Sequence, residues 1–332
     1  MHVLFIGGTG VISSAASRLA VKRGIELYHF NRGRTALRPA SQAVHRIRGD
    51  IRDRAATARA LKGMIFDVVV DWIAYTPEHI ETDLALFRGR TAQYIFISSA
   101  SAYGHPAPSL PITESTPLHN PYLQYSRDKI ACEERLRYAY REEDFPITIV
   151  RPSHTYDATK IPVYGRYTTI DRMRQGQPVI VPGDGTSRWC LTHHEDFATG
   201  FVGLLGNSRA IGESVHITSD EVLTWNEIYR LLARAAGADE PQLVHVASET
   251  LAAFEPDWGQ ALLGDKAHSV IFDNSKIKRL VPDFAATIPF AQGAGEILTW
   301  FDADPARQVV DEQTNALFER ILAARECMLA QC

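Results

Sequence analysis

The chain of 332 residues has few cysteines and no long apolar segment. Its four cysteines, Cys132, Cys190, Cys327 and Cys332, are scattered and include no Cys-x-x-Cys pair, which argues against a disulfide framework. No apolar run approaches the roughly 20 residues that a membrane-spanning helix requires. We therefore expect reduced thiols in a cytoplasmic protein without membrane contact.

The chain also lacks a strong excess of either charge. Its 35 Lys and Arg residues against 39 Asp and Glu residues give a net charge of −4, so electrostatics offers no general reason to expect a nucleic-acid partner. The N-terminal segment MHVLFIGGTG is apolar but short and has no basic leader. We interpret it as a buried strand and not as a signal peptide.

Short β-rich segments alternate with amphipathic stretches through the first 150 residues. This alternation predicts an α/β fold with a doubly wound, parallel, Rossmann-like sheet. We expect a dinucleotide-binding domain over residues 1–155 and a smaller C-terminal α/β substrate lobe over residues 156–332, with some later segments returning to the first domain. Strands are predicted over residues 3–6, 25–30, 45–48, 67–73, 94–98, 147–150 and 213–218, with a short β-rich run over 270–272.

A glycine-rich turn, Gly7-Gly8-Thr9-Gly10, follows the first predicted strand and precedes a predicted helix that includes Val11 and Ile12. Glycines at this place let the backbone approach a pyrophosphate, and the N-terminus of the helix favours an anion. Ser13 occupies the third glycine position of the motif and is small enough for close packing. The turn predicts dinucleotide binding.

The acidic residue that often follows the second strand of NAD-binding folds is absent here. Asn31 and Arg32 stand at that point, followed by Arg34. Either the arginines bind a 2′-phosphate, which indicates NADP, or they form a solvated turn and Asn31 binds the ribose of NAD. We favour NADP over NAD. Asp50, followed by Ile51 after the third strand, is placed to meet the adenine.

Tyr125 and Lys129 are four residues apart on a predicted helix, so they share one face of it. A phenol has a pKa near 10, and a nearby ammonium favours its ionised form. Ser99 follows the fifth predicted strand, where ligands bind in such sheets, and is placed to hydrogen-bond a substrate oxygen. The three residues predict proton transfer at a hydroxyl group.

These motifs resemble the extended short-chain dehydrogenases/reductases of the NAD-dependent epimerase/dehydratase family. The likeness extends through Arg151-Pro152 and Gly183-Asp184-Gly185-Thr186 to residues 193–198. It implies Ser99, Tyr125 and Lys129 as catalytic residues, a sugar-like substrate and, as in relatives, a homodimer. The implied cofactor contacts are Gly7, Gly8, Thr9, Gly10, Val11, Ile12, Asn31, Arg32, Asp50, Ile51, Tyr125, Lys129 and Pro152.

Three departures from the family pattern concern the substrate. Ala100 and Ser101 replace the acidic pair of the sugar dehydratases, which disfavours 4,6-dehydration. His154 replaces an asparagine of the epimerases and either touches the substrate or binds loop backbone. Trp189 replaces the arginine that grips a nucleotide diphosphate, although Arg188 is adjacent. The predicted substrate contacts are Ser99, Ser101, His154, Arg188 and Trp189.

Two classes of function are consistent with these patterns. One is an NAD(P)-dependent oxidoreductase or epimerase that acts on a sugar-like hydroxyl. The alternative is a non-catalytic NAD(P)-binding regulatory or RNA-binding relative, but such proteins commonly lose the tyrosine or the lysine. The adjacent His193 and His194 have no Cys or Glu at metal-ligand spacing on a common helix face, so no metal site is expected.

Overall fold

The computed structural model describes residues 1–34, 37–238 and 240–330, so Cys332 lies outside the described residues. The strands are β1 (His2–Ile6), β2 (Glu26–Asn31), β3 (His45–Arg48), β4 (Phe66–Asp71), β5 (Thr91–Ile97), β6 (Ile147–Pro152), β7 (His154–Tyr156), β8 (Val179–Pro182), β9 (Arg188–Trp189), β10 (Leu191–His193), β11 (Ser214–Ile217), β12 (Leu223–Thr224) and β13 (Leu243–Val246). A seven-stranded parallel sheet runs in the order β11-β6-β5-β4-β1-β2-β3. The predicted doubly wound, Rossmann-like sheet is confirmed.

Helices cover both faces of this sheet, as the continuous apolar character of β4 predicts. The helices are α1 (Val11–Lys22), α2 (Arg54–Ala60), α3 (Pro77–Phe87), α4 (Gln124–Glu143), α5 (Tyr167–Arg174), α6 (His194–Val202), α7 (Trp225–Ala235), α8 (Ser248–Phe254), α9 (Pro256–Ala261), α10 (Ser275–Leu280), α11 (Phe290–Asp302) and α12 (Glu312–Ala330). Val68 and Val70 pack in one core with α1 and α6, whereas Val69 packs in another with α3 and α4.

Local sequence signals define where several helices begin. Pro77 is the first residue of α3, where its missing N–H is tolerated. Thr224 and Glu227 form a capping box at the start of α7: the Glu227 N–H donates to Thr224 Oγ1, and the Thr224 N–H donates to Glu227 Oε2. These residues fix the first turns of the two helices.

The chain after residue 155 contributes to both parts of the molecule. Strand β11 pairs with β6 at the edge of the central sheet, and α6 packs against α1. Other segments form the small sheets β7–β10, β9–β12 and β8–β13. Within the described chain, the β-rich run 270–272 contains only an isolated bridge from Phe272 to Ile112 and no strand. The two-domain division at residue 155 stays a prediction.

Candidate active site

The glycine-rich turn adopts a backbone conformation that side chains disfavour. Gly7 and Gly8 have φ values of +107° and +91°, and a Cβ on Gly8 would lie 2.6 Å from the His29 ring. Gly10 is the N-cap of α1, and its N–H donates to Ser13 Oγ over 2.8 Å. The turn therefore brings bare backbone to the start of a helix, which suits a phosphate group.

A cavity of about 300 Å³ lies beside this turn, between the ends of β1, β2 and β3. Of the predicted cofactor contacts, those that line it are Gly7, Thr9, Asn31, Arg32, Asp50 and Ile51. Arg34 and Arg52 also line this cavity, which gives it three guanidinium groups. Gly8, Gly10, Val11 and Ile12 lie in the adjoining turn and helix, outside its lining.

Asn31 and Arg32 have different surroundings in this cavity. The Asn31 side chain holds the turn: its Oδ1 accepts from the Gly33 N–H over 2.9 Å, and its amide donates to the Gly7 carbonyl over 3.5 Å. Arg32 is 59% exposed and lies 3.9 Å from the Asp50 carboxylate. Arg32 thus keeps a solvated guanidinium at the mouth of the cavity.

Ser99 and Tyr125 meet where the loop after β5 reaches the first turn of α4. Ser99 Oγ lies 2.8 Å from Ser101 Oγ, which lies 2.8 Å from Ser126 Oγ. This chain of hydroxyls ties the loop to the helix. Partial burial and the neighbouring Tyr75 raise the pKa of the Tyr125 phenol to about 12, although interaction with Ser99 lowers it; the residue stays 44% exposed.

Lys129 is buried beneath Tyr125. It is 1% exposed, and its ammonium donates to the carbonyls of Ala74 and Ile97 over 2.6 and 2.7 Å. Its Nζ lies 5.6 Å from the centre of the Tyr125 ring, and burial lowers its pKa to about 8. The predicted lowering of the Tyr125 pKa by Lys129 is therefore not found, because the ammonium is directed at two backbone carbonyls.

The predicted substrate residues converge on a second cavity, of about 290 Å³. Its walls include Ser99, Ser101, Tyr125, Pro152, His154 and Trp189. Trp189 is buried and stacks on Trp225, and the His154 ring packs edge-on against it. Burial holds the pKa of His154 well below its usual range, so the ring is neutral. Arg188 is exposed on β9, outside the lining of this cavity.

Several residues of this site carried no recognised sequence signal. They are His105, Asn120, Lys160, Asp265 and Lys266. Asn120 is buried and donates to the carbonyls of Ser101 and Gly264 over 2.9 and 2.6 Å, while its Oδ1 accepts from two N–H groups just before α4. Asn120 therefore connects the loop after β5, the segment that contains Gly264 and the start of α4. The other four lie in loops or near helix ends without a local pattern that indicates their neighbours.

A larger cavity, of about 640 Å³, adjoins the catalytic one and shares His154, Lys160, Ala261 and Lys266 with it. It is lined by many rings: Tyr164, Tyr167, Trp225, Tyr229, Trp258, Trp300 and Phe301. Tyr164 and Trp258 stack with their ring centres 3.9 Å apart. The smaller cavity therefore borders a larger one that is lined by many aromatic rings.

The described residues contain no cluster of three or more His, Cys, Asp or Glu side chains that could hold a metal ion. His193 instead lies 3.0 Å from the Glu296 carboxylate. Cys132 and Cys190 are buried free thiols. No helix in the described part of the chain is long and apolar enough to cross a bilayer.

The model of the NAD-dependent epimerase/dehydratase family matches residues 3–218, which is more than half of the chain. The chain belongs to this family, and the resemblance seen in its motifs is confirmed. It is 27% identical over 289 residues to 2′-dehydrokanamycin reductase of Streptomyces kanamyceticus, covering 86% of this chain and 80% of that protein. It is 28% identical over 257 residues to chloroplast stem-loop binding protein of 41 kDa b of Arabidopsis thaliana, covering 73% of this chain but only 65% of that protein.

Solved structures share the fold over almost the whole chain. Epimerase Mth375 from Methanothermobacter thermautotrophicus superimposes with a TM-score of 0.74 at 19% identity, covering 92% of this chain and 94% of that one. UDP-glucuronic acid 4-epimerase from Bacillus cereus, in complex with UDP-glucuronic acid and NAD, gives 0.72 at 19% identity, covering 91% and 99%. At these identities the likeness establishes the fold alone.

Proposed function

We propose that this family member is an NAD(P)-dependent oxidoreductase or epimerase that acts on a hydroxyl group of a sugar or sugar-like substrate. The observation that carries the proposal is that Ser99 and Tyr125 line one cavity, with the Lys129 ammonium 5.6 Å from the centre of the Tyr125 ring. The cleft beside the glycine turn is lined by Tyr75, whose ring centre lies 4.8 Å from the Lys129 ammonium. Binding modules have no need for such an arrangement.

The residues of the cleft fit a dinucleotide. The turn at Gly7 and Gly8 would receive the pyrophosphate, Asp50 and Ile51 would border the adenine, and Lys129 and Pro152 would adjoin the nicotinamide end. When bound, the cofactor supplies a hydride acceptor and donor. Each of these placements rests on the family pattern together with the two cavities.

Tyr125 carries the proton of the reacting hydroxyl, and Ser99 donates a hydrogen bond to the same substrate oxygen. Because the Tyr125 pKa is about 12 in these surroundings, its phenol stays protonated near neutral pH. It therefore serves readily as an acid toward a developing alkoxide, and as a base it needs further stabilisation of the phenolate. Reduction of a ketone and the return step of epimerisation use it in the acid role.

The cavities favour a substrate with a sugar-like reacting part and a larger remainder. The remainder enters the larger, aromatic cavity, which suits a planar or ring-bearing group. One structural neighbour is named for UDP-glucuronic acid and one relative for 2′-dehydrokanamycin, and both compounds have a sugar-like part and a larger remainder. The absence of an acid at Ala100 and Ser101 continues to disfavour 4,6-dehydration.

We further propose that NADP binds more tightly than NAD. Arg32, Arg34 and Arg52 line the adenosine end of the cleft, and the Asn31 side chain is engaged with the turn. Guanidinium groups suit a phosphate, whereas an exposed ribose diol is usually bound by a carboxylate. The predicted homodimer and cytoplasmic location stay predictions.

A second candidate is a binding protein, since one relative is named for binding a stem-loop. The net charge of −4 and the assembled Ser99, Tyr125 and Lys129 argue against it. Fluorescence anisotropy with a labelled RNA stem-loop would separate the two. Submicromolar binding at physiological salt, without turnover, would favour the binding protein.

The test of the enzymatic proposal is turnover with a short panel of probes. The purified protein is incubated with NAD⁺ or NADP⁺ and with UDP-glucose, UDP-glucuronic acid or kanamycin. Absorbance of the reduced nicotinamide reports net oxidation, and NMR of the sugar reports epimerisation. We expect activity with at least one probe that is lost in Tyr125→Phe. Absence of both signals with all probes would contradict the proposal.

A further inference from the structure

His105 is a buried histidine in the loop that follows the catalytic Ser99. Its side chain is 1% exposed, and neither ring nitrogen has a hydrogen-bond partner among the described residues. Burying unpaired polar atoms costs free energy, so folding alone gives no reason to keep an imidazole here. His105 lines the same cavity of about 290 Å³ as Ser99 and Tyr125.

Asp265 stands next to this ring, in the same cavity. Its Oδ1 atom lies 4.0 Å from His105 Nε2, beyond hydrogen-bond length but close enough for its charge to favour the protonated ring. Tyr125 lines this cavity as well, and the charge of Asp265 contributes to raising its pKa. The charge of Asp265 therefore acts on both His105 and Tyr125.

The segment that carries Asp265 is held firmly. Residues Leu262–Lys266 form a π-helical turn, a rare conformation that often occurs at functional sites. The Gly264 carbonyl accepts from the Asn120 amide, and the Lys266 carbonyl accepts from Trp225 Nε1 over 3.0 Å. A Cβ on Gly264 would lie 2.7 Å from Leu123 Cγ, just before the catalytic helix. Asp265 therefore has a fixed position relative to Tyr125.

The surroundings of His105 determine its charge. Burial is the largest influence and lowers its pKa, Asp265 raises it, and His268 and Lys266 lower it further. The ring is consequently neutral near neutral pH and carries one free lone pair. A neutral imidazole beside a carboxylate is a suitable general base.

We propose that His105, supported by Asp265, is a second acid–base group of the catalytic cavity and exchanges the proton on the carbon next to the oxidised carbon of the substrate. The proposal rests on the proposed function, because that function supplies the carbonyl. The neighbouring C–H bond breaks, its proton moves to a ring nitrogen of His105, and its electron pair forms a C=C bond as the carbonyl π pair moves to oxygen. Return of the proton reverses the step.

His105 supplies an acid–base group that the residues directly after Ser99 do not provide. Ala100 and Ser101 stand where sugar dehydratases of the family carry acidic residues, so the backbone after Ser99 offers neither acid nor base. His105 lies a few residues further along the same loop and reaches the cavity. The cavity therefore contains two proton-transfer groups, Tyr125 for the hydroxyl and His105 for the carbon.

The test follows proton and hydride separately. Each of UDP-glucose, UDP-glucuronic acid and kanamycin is incubated in D₂O with the enzyme and both cofactors. Mass spectrometry and NMR measure deuterium at the carbon next to the reacting one, and absorbance or product NMR measures hydride transfer. We expect deuterium incorporation by the wild type. The ratio of incorporation to hydride transfer should fall about 10²-fold in His105→Gln and less in Asp265→Asn.

His119→Gln is the matched control, because His119 is exposed in the same loop and outside the cavity lining. It should leave both rates unchanged. Hydride transfer without deuterium incorporation would overturn this inference alone, and so would an unchanged ratio in His105→Gln. Absence of hydride transfer with every probe would overturn it together with the proposed function. If His105→Gln fails to fold, His105→Asn and Asp265→Asn decide by the same ratio.

Discussion

The cleft beside the glycine turn and the cavity that Ser99 and Tyr125 line both lie close to Lys129 but are assembled differently. The cleft comes from the ends of the first four strands and the turns that follow them. The cavity takes its walls from loops after β5 and β6, from the start of α4, and from the π-helical turn Leu262–Lys266. The cleft repeats a local βα pattern, whereas the cavity depends on contacts between residues far apart in the chain.

This difference has consequences for substitution. In the cleft, function depends on backbone conformation, so the sensitive positions are glycines. In the cavity, function depends on side-chain groups that other side chains hold in place, such as Ser101 by Ser126 and the Ser101 carbonyl by Asn120. The predictions below test whether substitutions in the cleft and in the cavity have separate effects on cofactor affinity and on turnover.

Tyr125→Phe should produce the largest change and should affect the cavity side alone. It removes the oxygen that transfers the proton but keeps the ring that lies against Tyr75. General acid–base groups contribute about 10²–10⁴-fold to a rate. We expect turnover to fall by that amount while calorimetry shows unchanged cofactor affinity. Turnover within a factor of three of the wild type would contradict the role of the phenol.

Gly8→Ala should produce the largest change on the cleft side. At φ +91° a side chain costs about 1–2 kcal/mol, and overlap of its Cβ with the His29 ring adds about 1–3 kcal/mol. Urea unfolding should show a loss of about 2–5 kcal/mol. Gly183→Ala is the matched control, because its φ is +65° but its Cβ meets open space. Equal losses in the two variants would show that contact with His29 is unimportant.

Lys129→Met should affect both sides, because Lys129 contacts the carbonyl of Ala74 near the cleft and that of Ile97 near the cavity. A hydrogen bond to a charged group contributes about 1.5–3 kcal/mol, which corresponds to roughly a ten- to hundredfold loss. We expect losses of this size in both turnover and cofactor affinity. Lys160→Met, on the cavity side, should leave cofactor affinity unchanged. Unchanged affinity in Lys129→Met would separate Lys129 from the cofactor.

The sequence was sufficient to predict the sheet, because apolar strands, capping residues and glycine turns are local signals. The β4 valines indicated burial on both faces, and Gly7 to Gly10 indicated the phosphate turn before any contact was known. The same holds for Thr224 and Glu227 at the start of α7. Each of these predictions depends on residues within a few positions of one another.

The cavity was predictable only in part. Ser99, Tyr125, His154 and Trp189 were identified through family motifs, and they do share a cavity. The pKa of Tyr125 was not predictable, since it depends on where the Lys129 ammonium is directed. Asp265 approaches His105 through a fold that brings together loops 160 residues apart. No spacing in the sequence records such a contact.

Arg32→Ala should produce the smallest change, and it tests cofactor choice within the cleft. The 2′-phosphate of NADP has a charge of about −1.5 to −2 near neutral pH, and Arg32 presents a guanidinium that is 59% exposed at the cavity mouth. Because exposed ion pairs contribute about 0.2–1 kcal/mol, the loss in NADP affinity should be at most about fivefold. Affinity for NAD should change little, so the ratio of NADP affinity to NAD affinity should become smaller. Calorimetric titration of both cofactors into wild type and variant measures these affinities. The control is Arg54→Ala, on α2 outside the cavity lining.

A wild-type preference for NAD would instead assign the ribose to Asn31 and the backbone, and Arg32 would then be a solvated turn residue.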